Sequence, residues 1–420
     1  MNGMQRRRVA ALGSGRALLR TAMRAPMRAP MRAPMRALIH AAGACLLLLA
    51  APVDAANDCH KPTSSARWPA WETFATAFMG DGARVIDPST PNGQTTSEGQ
   101  AYALFFALVA NDRPRFDRLL RWTEDNLSGG DIASRLPAWL WGKKSDGAWG
   151  IIDDNPASDA DLWIAYTLLE ASRMWDVPRF GMLGQQVAER ILREETVVID
   201  GLGRVLLPAP KGFMPANHTV RLNPSYAPLQ VLRRLAAGSS NAESKAQWNA
   251  QVATTLRLIL EGAPQGFVPD WVEYRAGKGF GADDATAGTG SFNAIRTYLW
   301  AGMLAPAEPH RIALQKALTP MLTATISKGA PPQQVDTRNG AASGIGDAGF
   351  SAALLPLLST LPDGGHAALQ RARINSLDPA ARRDNYYEQA LTLFGLGWSD
   401  RRYRFTADGT LERGIRCNAR

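Results

Sequence analysis

Glu98 lies in Thr95-Thr96-Ser97-Glu98-Gly99-Gln100-Ala101-Tyr102, where a turn gives way to the apolar run Leu104-Phe105-Phe106-Ala107-Leu108. Thr96 or Ser97 can cap the helix that starts here, which puts Glu98 in its first turn, where the helix dipole favours the anion. A proton donor needs the opposite shift, supplied by burial or by a second carboxylate. On these residues alone, completing a helix N-terminus is the simpler role. A second acidic group follows in Asp153-Asp154-Asn155-Pro156-Ala157-Ser158-Asp159-Ala160-Asp161-Leu162-Trp163. Asp159 and Asp161, two apart at a helix start, can sit in a capped first turn, hold a hard cation, or face an acid across a glycosidase cleft. The spaced oxygen ligands of a calcium loop are missing, which weakens the cation reading.

Aromatic residues crowd the loops between these acids. Trp139, Trp141 and Trp149 fall in one loop and Trp271 in Pro269-Asp270-Trp271. Flat indole faces beside carboxylates suit a sugar cleft, because pyranose C–H faces stack on them. The other reading is hydrophobic plugging between helices, and it is preferred for Trp122, Trp175 and Trp248, which fall within amphipathic segments.

The elements that must position these groups are mostly helical. The i, i+3, i+4 apolar spacing predicts helices over 68–78, 98–110, 114–127, 159–175, 180–194, 226–237, 244–260, 292–304, 309–326, 350–358, 364–375 and 386–395, with strand-like alternation only over 196–207. A longer apolar helix is repeatedly followed, after a short polar turn, by a more amphipathic one, and long Gly/Pro/Trp-rich loops separate the pairs. The expectation is an all-α chain, a toroid of six helical hairpins or (α/α)6 barrel with active-site loops gathered at one end, with a two-domain helical array as the alternative.

The chain has 420 residues, 45% of them hydrophobic and 20% charged, enough for one large core. Its formal charge is +9, but residues 1–36 hold nine arginines and residues 1–55 only one acid, Asp54, so +8 belongs to the leader and +1 to the rest. Bulk charge therefore gives no support to nucleic-acid binding. The basic stretch, an apolar run from Ala37 to Ala51 and small residues near Ala55 predict a signal peptide over 1–55, with export of a single domain over 56–420 to the periplasm or beyond. Removing the leader leaves two cysteines, Cys59 and Cys417, which invite a disulfide joining the chain ends. The five histidines are scattered, so no metal is expected, nor any cofactor. A monomer with no membrane span is expected.

The segment Ala157-Ser158-Asp159-Ala160-Asp161-Leu162-Trp163-Ile164-Ala165-Tyr166-Thr167-Leu168-Leu169-Glu170-Ala171 resembles the signature of family 8 glycoside hydrolases. Around it, Thr96-Ser97-Glu98-Gly99-Gln100, Leu136-Pro137-Ala138-Trp139-Leu140-Trp141-Gly142, Asn223-Pro224-Ser225-Tyr226 and Pro269-Asp270-Trp271-Val272 are similar to the branch encoded with bacterial cellulose synthase. The resemblance implies an (α/α)6 barrel that cleaves β-1,4-glucan with inversion and works beside a cellulose synthase export machinery. It also implies that Glu98 is the proton donor and Asp159 its partner carboxylate, with Asp161 in the same cleft wall and Tyr226 and Arg296 lining the centre. One departure stands out. Where the family commonly carries an aspartate base, this chain has Asn293 in Ser291-Phe292-Asn293-Ala294-Ile295-Arg296. An amide orients water but has no basic lone pair to take its proton. Three explanations follow: Asp159 or Asp161 serves as base, a loop carboxylate such as Asp283 or Asp284 reaches in, or the enzyme is impaired. The first reading is an active enzyme with a relocated base. The alternatives are a silent glucan-binding accessory protein and a related activity on chitosan or mixed-linkage glucan.

Overall fold

Apolar periodicity and polar caps divide the chain as its spacing predicts. The computed structural model describes residues 59–60, 67–80, 83–214, 219–378, 384–414 and 416–417, and the expected leader lies outside them. Among the described residues there are thirteen helices: α1 (Pro69–Phe78), α2 (Ser97–Ala110), α3 (Arg113–Leu127), α4 (Ser158–Trp175), α5 (Pro178–Glu194), α6 (Leu229–Ala237), α7 (Ala242–Gly262), α8 (Ala294–Gly302), α9 (Arg311–Ala317), α10 (Thr319–Lys328), α11 (Ala348–Leu358), α12 (Gly365–Ser376) and α13 (Tyr386–Ser399). The single helix expected over 309–326 is two, broken at Leu318. Pro320 lacks an N–H and its ring crowds the carbonyl four residues back, so the chain restarts there with proline in the first turn.

The helices alternate between buried and half-buried. Almost every residue of α2 is buried, whereas α3 buries only Phe116, Leu119, Leu120, Thr123 and Leu127, one stripe at helical spacing. The buried series α2, α4, α6, α8, α11 and α13 packs in that order. It closes on itself where Phe394 of α13 meets Tyr102, Phe105 and Phe106 of α2, with ring centroids 5.0, 5.5 and 4.6 Å apart. The remaining helices pack outside this ring, α3 on α2, α5 on α4, α7 on α6, α9 on α8, α12 on α11 and α1 on α13, with α10 between α9 and α11. The result is an (α/α)6 barrel. Its last hairpin joins the two ends of the chain, α13 with α1.

Close approach within the ring depends on glycine. A Cβ on Gly395 of α13 would stand 1.9 Å from the Ala352 carbonyl oxygen of α11, and one on Gly302 of α8 would stand 2.4 Å from the Leu357 amide nitrogen. No side chain fits at either crossing.

Strands are more numerous than the sequence suggested, because the expected loops contain short sheets. Cys59–His60 (β1) is the first of them. Thr95–Thr96 (β2), Ala138–Lys143 (β3) and Trp149–Pro156 (β4) form an antiparallel sheet in that order. Thr196–Ile199 (β5) and Gly203–Leu206 (β6) make a hairpin within the stretch where alternation was read. Thr219–Leu222 (β7), Val272–Arg275 (β8) and Gly279–Ala282 (β9) form a third sheet, and Thr289–Gly290 (β10), Gln334–Asp336 (β11) and Ala341–Ser343 (β12) a fourth. Tyr403–Phe405 (β13) pairs with Leu411–Arg413 (β14), and Arg416–Cys417 (β15) with β1. Most of these strands have only two to four residues, so they carry little alternation to read.

Hairpin alternation makes all inner helices run the same way, so their N-termini share one end of the barrel. The strands β2, β4, β7 and β10 lead into α2, α4, α6 and α8 at that end, which is where the chemistry-bearing residues lie.

Two expectations follow. Gly395→Ala is expected to lower stability by about 3 kcal/mol or more, read from denaturant unfolding, while Gly364→Ala, where an added Cβ meets nothing within 4 Å, serves as control. Equal midpoints for the two would sink the packing argument. The β1–β15 register sets Cys59 opposite Cys417; non-reducing peptide mapping is expected to recover both in one linked species, and separate free-thiol peptides would disprove the link.

Candidate active site

Thr96 caps α2 by accepting from the Gly99 N–H at 3.1 Å, which fixes Glu98 in the first turn. Asp159 takes the same position at the start of α4, and its Oδ1 accepts from the Ala160 N–H at 2.9 Å. Asn293 precedes α8, and Arg296 follows one turn later. Three separate inner helices thus aim polar side chains at one place.

Arg296 joins them. Its Nη1 donates to Glu98 Oε2 in a short contact, and also to Asp159 Oδ2 and the Tyr102 hydroxyl, each at 3.2 Å. Its Nη2 donates to Asn293 Oδ1 at 2.7 Å. The Arg296 and Asp159 side chains are only 3% and 5% exposed, whereas Glu98 is 21% exposed and reaches the surface of the cleft. Tyr226 lies beside them, its ring centroid 5.5 Å from the Arg296 guanidinium carbon.

Burial governs the electrostatics. It pushes the Glu98 carboxyl up to about 7, opposed by the Arg296 charge and aided by Asp159. Asp159 is also raised by burial, against the pull of Arg296 and of its backbone hydrogen bonds. The dipole effect expected to hold Glu98 down is overcome by desolvation. The cluster accordingly offers a carboxyl that still holds its proton in part at neutral pH, next to a partner fixed by a cation, which suits acid catalysis.

Asp161 is not in the cleft wall. It is fully buried and faces Glu195, the two carboxyls forming an acid pair without other partners. The reason is helical geometry: residues two apart on a helix point about 200° apart, so Asp159 and Asp161 cannot share a face. Burial holds both Asp161 and Glu195 well above the ordinary carboxyl range, reinforced by the Asp159 charge at Asp161 and by the Asp161 charge at Glu195. Asp283 is also engaged elsewhere, bound by Arg221 at 2.7 and 3.3 Å and by Thr286, and the 88% exposed Asp284 side chain lies toward Arg275.

The aromatics divide between platform and support. Trp139 and Trp149 are 36% and 50% exposed. Trp141 lies beneath Trp149, stacked at 5.2 Å, with Trp122 against its edge and the Arg84 guanidinium 4.9 Å from its centroid. Since β2 pairs with β3, this hairpin adjoins the strand that leads to Glu98. On the other side Trp271 is held by Arg221 at 4.0 Å, stacks on Phe213 at 5.6 Å and meets Tyr226 at 5.9 Å.

Sequence reasoning missed Tyr102, although its place four residues after Glu98 on the same helix face was a usable signal. It also missed Asp270, whose Oδ1 accepts from the backbone N–H groups of Ser291, Asn293 and Ala294 at 2.8, 2.9 and 2.7 Å and so anchors the start of α8. Nothing in the spacing marks that contact. Tyr387, which donates to the Phe292 carbonyl, belongs to the same wall.

A ring of helical hairpins with carboxyls gathered on one arginine in an aromatic cleft defines a glycoside hydrolase. The chain belongs to glycosyl hydrolases family 8, whose profile matches residues 54–401. It is 45% identical to an endoglucanase of Salmonella typhi over 344 residues, 82% of this chain and 90% of the relative. It is also 45% identical to an endoglucanase of Xanthomonas axonopodis pv. citri over 381 residues, covering 89% and 95%. Among solved structures, the endo-1,4-D-glucanase of Vibrio fischeri ES114 superposes with a TM-score of 0.78 at 45% identity, over 83% of this chain and 99% of that one.

The Asp161–Glu195 pair has a consequence for stability. A carboxyl raised in the folded chain keeps its proton at a pH where the unfolded chain has released it. Its stability contribution is therefore full below the unfolded value, near 4 to 4.5, and declines as pH rises toward the folded one, by at most about 1.4 kcal/mol per pH unit for each proton held. Glu195→Gln removes one such group while leaving Asp161 a hydrogen-bond partner, and is expected to flatten the decline between pH 5 and 8 in denaturant unfolding. A variant with the wild-type slope would count against a shared proton.

Proposed function

We propose that the protein is an exported endo-β-1,4-glucanase that hydrolyses cellulose with inversion, in association with bacterial cellulose synthesis. The carrying observation is Glu98, 21% exposed beside the buried Arg296, where burial lifts its carboxyl to about 7 against the pull of the guanidinium. Glu98 protonates the departing glycosidic oxygen. Arg296, itself held by Asp159, fixes the direction of the Glu98 carboxyl at the point of cleavage. Trp139, Trp149, Tyr226 and Trp271 line the path of the glucan and stack on pyranose faces. The names of the relatives, endoglucanases and an endo-1,4-D-glucanase, support the substrate class. The leader over 1–55 directs export to the periplasm, where a glucan emerging from a synthase is the natural substrate; among the described residues no helix is long and apolar enough to cross a membrane.

A second reading, a silent glucan-binding protein, rests on Asn293 in place of the family's usual aspartate. Hydrolysis of carboxymethylcellulose by the mature protein separates the two. The wild type is expected to turn over, with activity falling as pH rises through about 7 because the acid must stay protonated. Glu98→Gln is expected to cost 10²- to 10⁴-fold in kcat, roughly the share of one general acid. Binding of cello-oligosaccharides in calorimetry with no turnover by the wild type would favour the silent reading instead, and ¹H NMR of the first product reports the anomer.

A further inference from the structure

Inverting hydrolysis needs a second carboxylate to take a proton from the attacking water, about 6.5–9.5 Å from the acid. Asp159 does not fit. It shares one guanidinium nitrogen with Glu98, so the bonded oxygens are no farther apart than two hydrogen-bond lengths, roughly 6 Å. Its other oxygen is on the Ala160 N–H, and the residue is 4% exposed. Asp161 and Glu195 are sealed, Asp283 is bound to Arg221, and Asp284 lies toward Arg275.

Asp270 remains. Its Oδ1 is occupied by three backbone N–H groups, while its Oδ2 accepts no hydrogen bond from the described residues and is not sealed from solvent. It accepts from the backbone N–H of Asn293, whose side-chain oxygen is the acceptor for the Arg296 hub, so it adjoins the hub through that one residue. Asn293 Oδ1 is turned to Arg296, which leaves its amide N–H groups free to hold a water. We infer that Asp270 is the general base of this enzyme and that Asn293 positions the water it deprotonates. The inference rests on the endoglucanase reading above.

The step balances. The water oxygen forms a bond to the anomeric carbon as the glycosidic C–O bond breaks. Glu98 gives its proton to the leaving oxygen, and the water's proton passes to Asp270 Oδ2, directly or through one further water. Solvent then restores both groups. Arg296, Tyr298 and Tyr387 are the charged and titratable groups that face Asp270, and burial holds its carboxyl above the usual aspartate range.

The test is a cycle of Asp270→Asn and Asn293→Asp, each assayed for kcat on carboxymethylcellulose. Asparagine at 270 keeps an acceptor for the α8 N-terminus and removes only the free carboxylate oxygen. If Asp270 is the base, Asp270→Asn costs the wild type about 10²-fold or more, but costs the Asn293→Asp background several-fold at most, because the carboxylate introduced there then supplies a base. Equal losses in both backgrounds would show a structural role only, and an active Asp270→Asn single variant would overturn the proposal outright. Should Asp270→Asn fail to fold, Asp270→Ser, which also retains a capping oxygen, takes its place in the cycle. An inactive wild type would instead overturn the endoglucanase reading, so the two failures are distinguishable.

Discussion

The site depends on one buried guanidinium. Arg296 comes from α8, yet its partners come from α2 and α4, so a single side chain ties three inner helices at the end where their N-termini meet. Burying a cation is costly unless its partners are also buried and hydrogen-bonded, and removing one partner of such a set costs about 3–5 kcal/mol. Glu98, Asp159, Tyr102 and Asn293 supply those partners. Arginine suits the position better than lysine because its planar fork serves several acceptors in fixed directions. The barrel enters through direction: alternating hairpins make the inner helices parallel, and only then can their first turns converge on one guanidinium.

That convergence separates the carboxyls by environment. Glu98 keeps an opening to solvent, Asp159 is sealed onto the cation, and Asp161 is turned away to share the interior with Glu195. Three acids that look equivalent along the chain thus differ in solvation, partner and direction. Divergence of environment is what gives neighbouring carboxyls different chemical roles.

Much of this was legible in the sequence. The ring of hairpins follows from apolar spacing and from the alternation of buried and amphipathic helices, and Thr96 at the head of α2 signalled the turn that presents Glu98. The small sheets were not legible, since most of their strands have only two to four residues and the longer β3 and β4 show no regular alternation of burial. Asp161 was misplaced because nearness along the chain was read as nearness in space, although a spacing of two on a helix means opposite faces. Asp270 was invisible for another reason. Its partners are backbone N–H groups more than twenty residues away, and a backbone donor has no identity in the sequence.

Asn293 is best understood through the charge of the hub. Arg296 already serves two carboxyls, and the neutral amide at 293 adds an acceptor for the guanidinium without adding a charge. An aspartate there would place a third carboxyl on a single cation. That group would have to be desolvated without a counterion, and its repulsion would push Glu98 further up. The amide therefore spares the single cation a third carboxyl. It does so by giving up a basic oxygen at that position. A chain built this way can retain hydrolysis only if a carboxylate outside the hub, not competing for Arg296, stands close enough to receive a proton from water. The cap of α8 is where the fold already holds one.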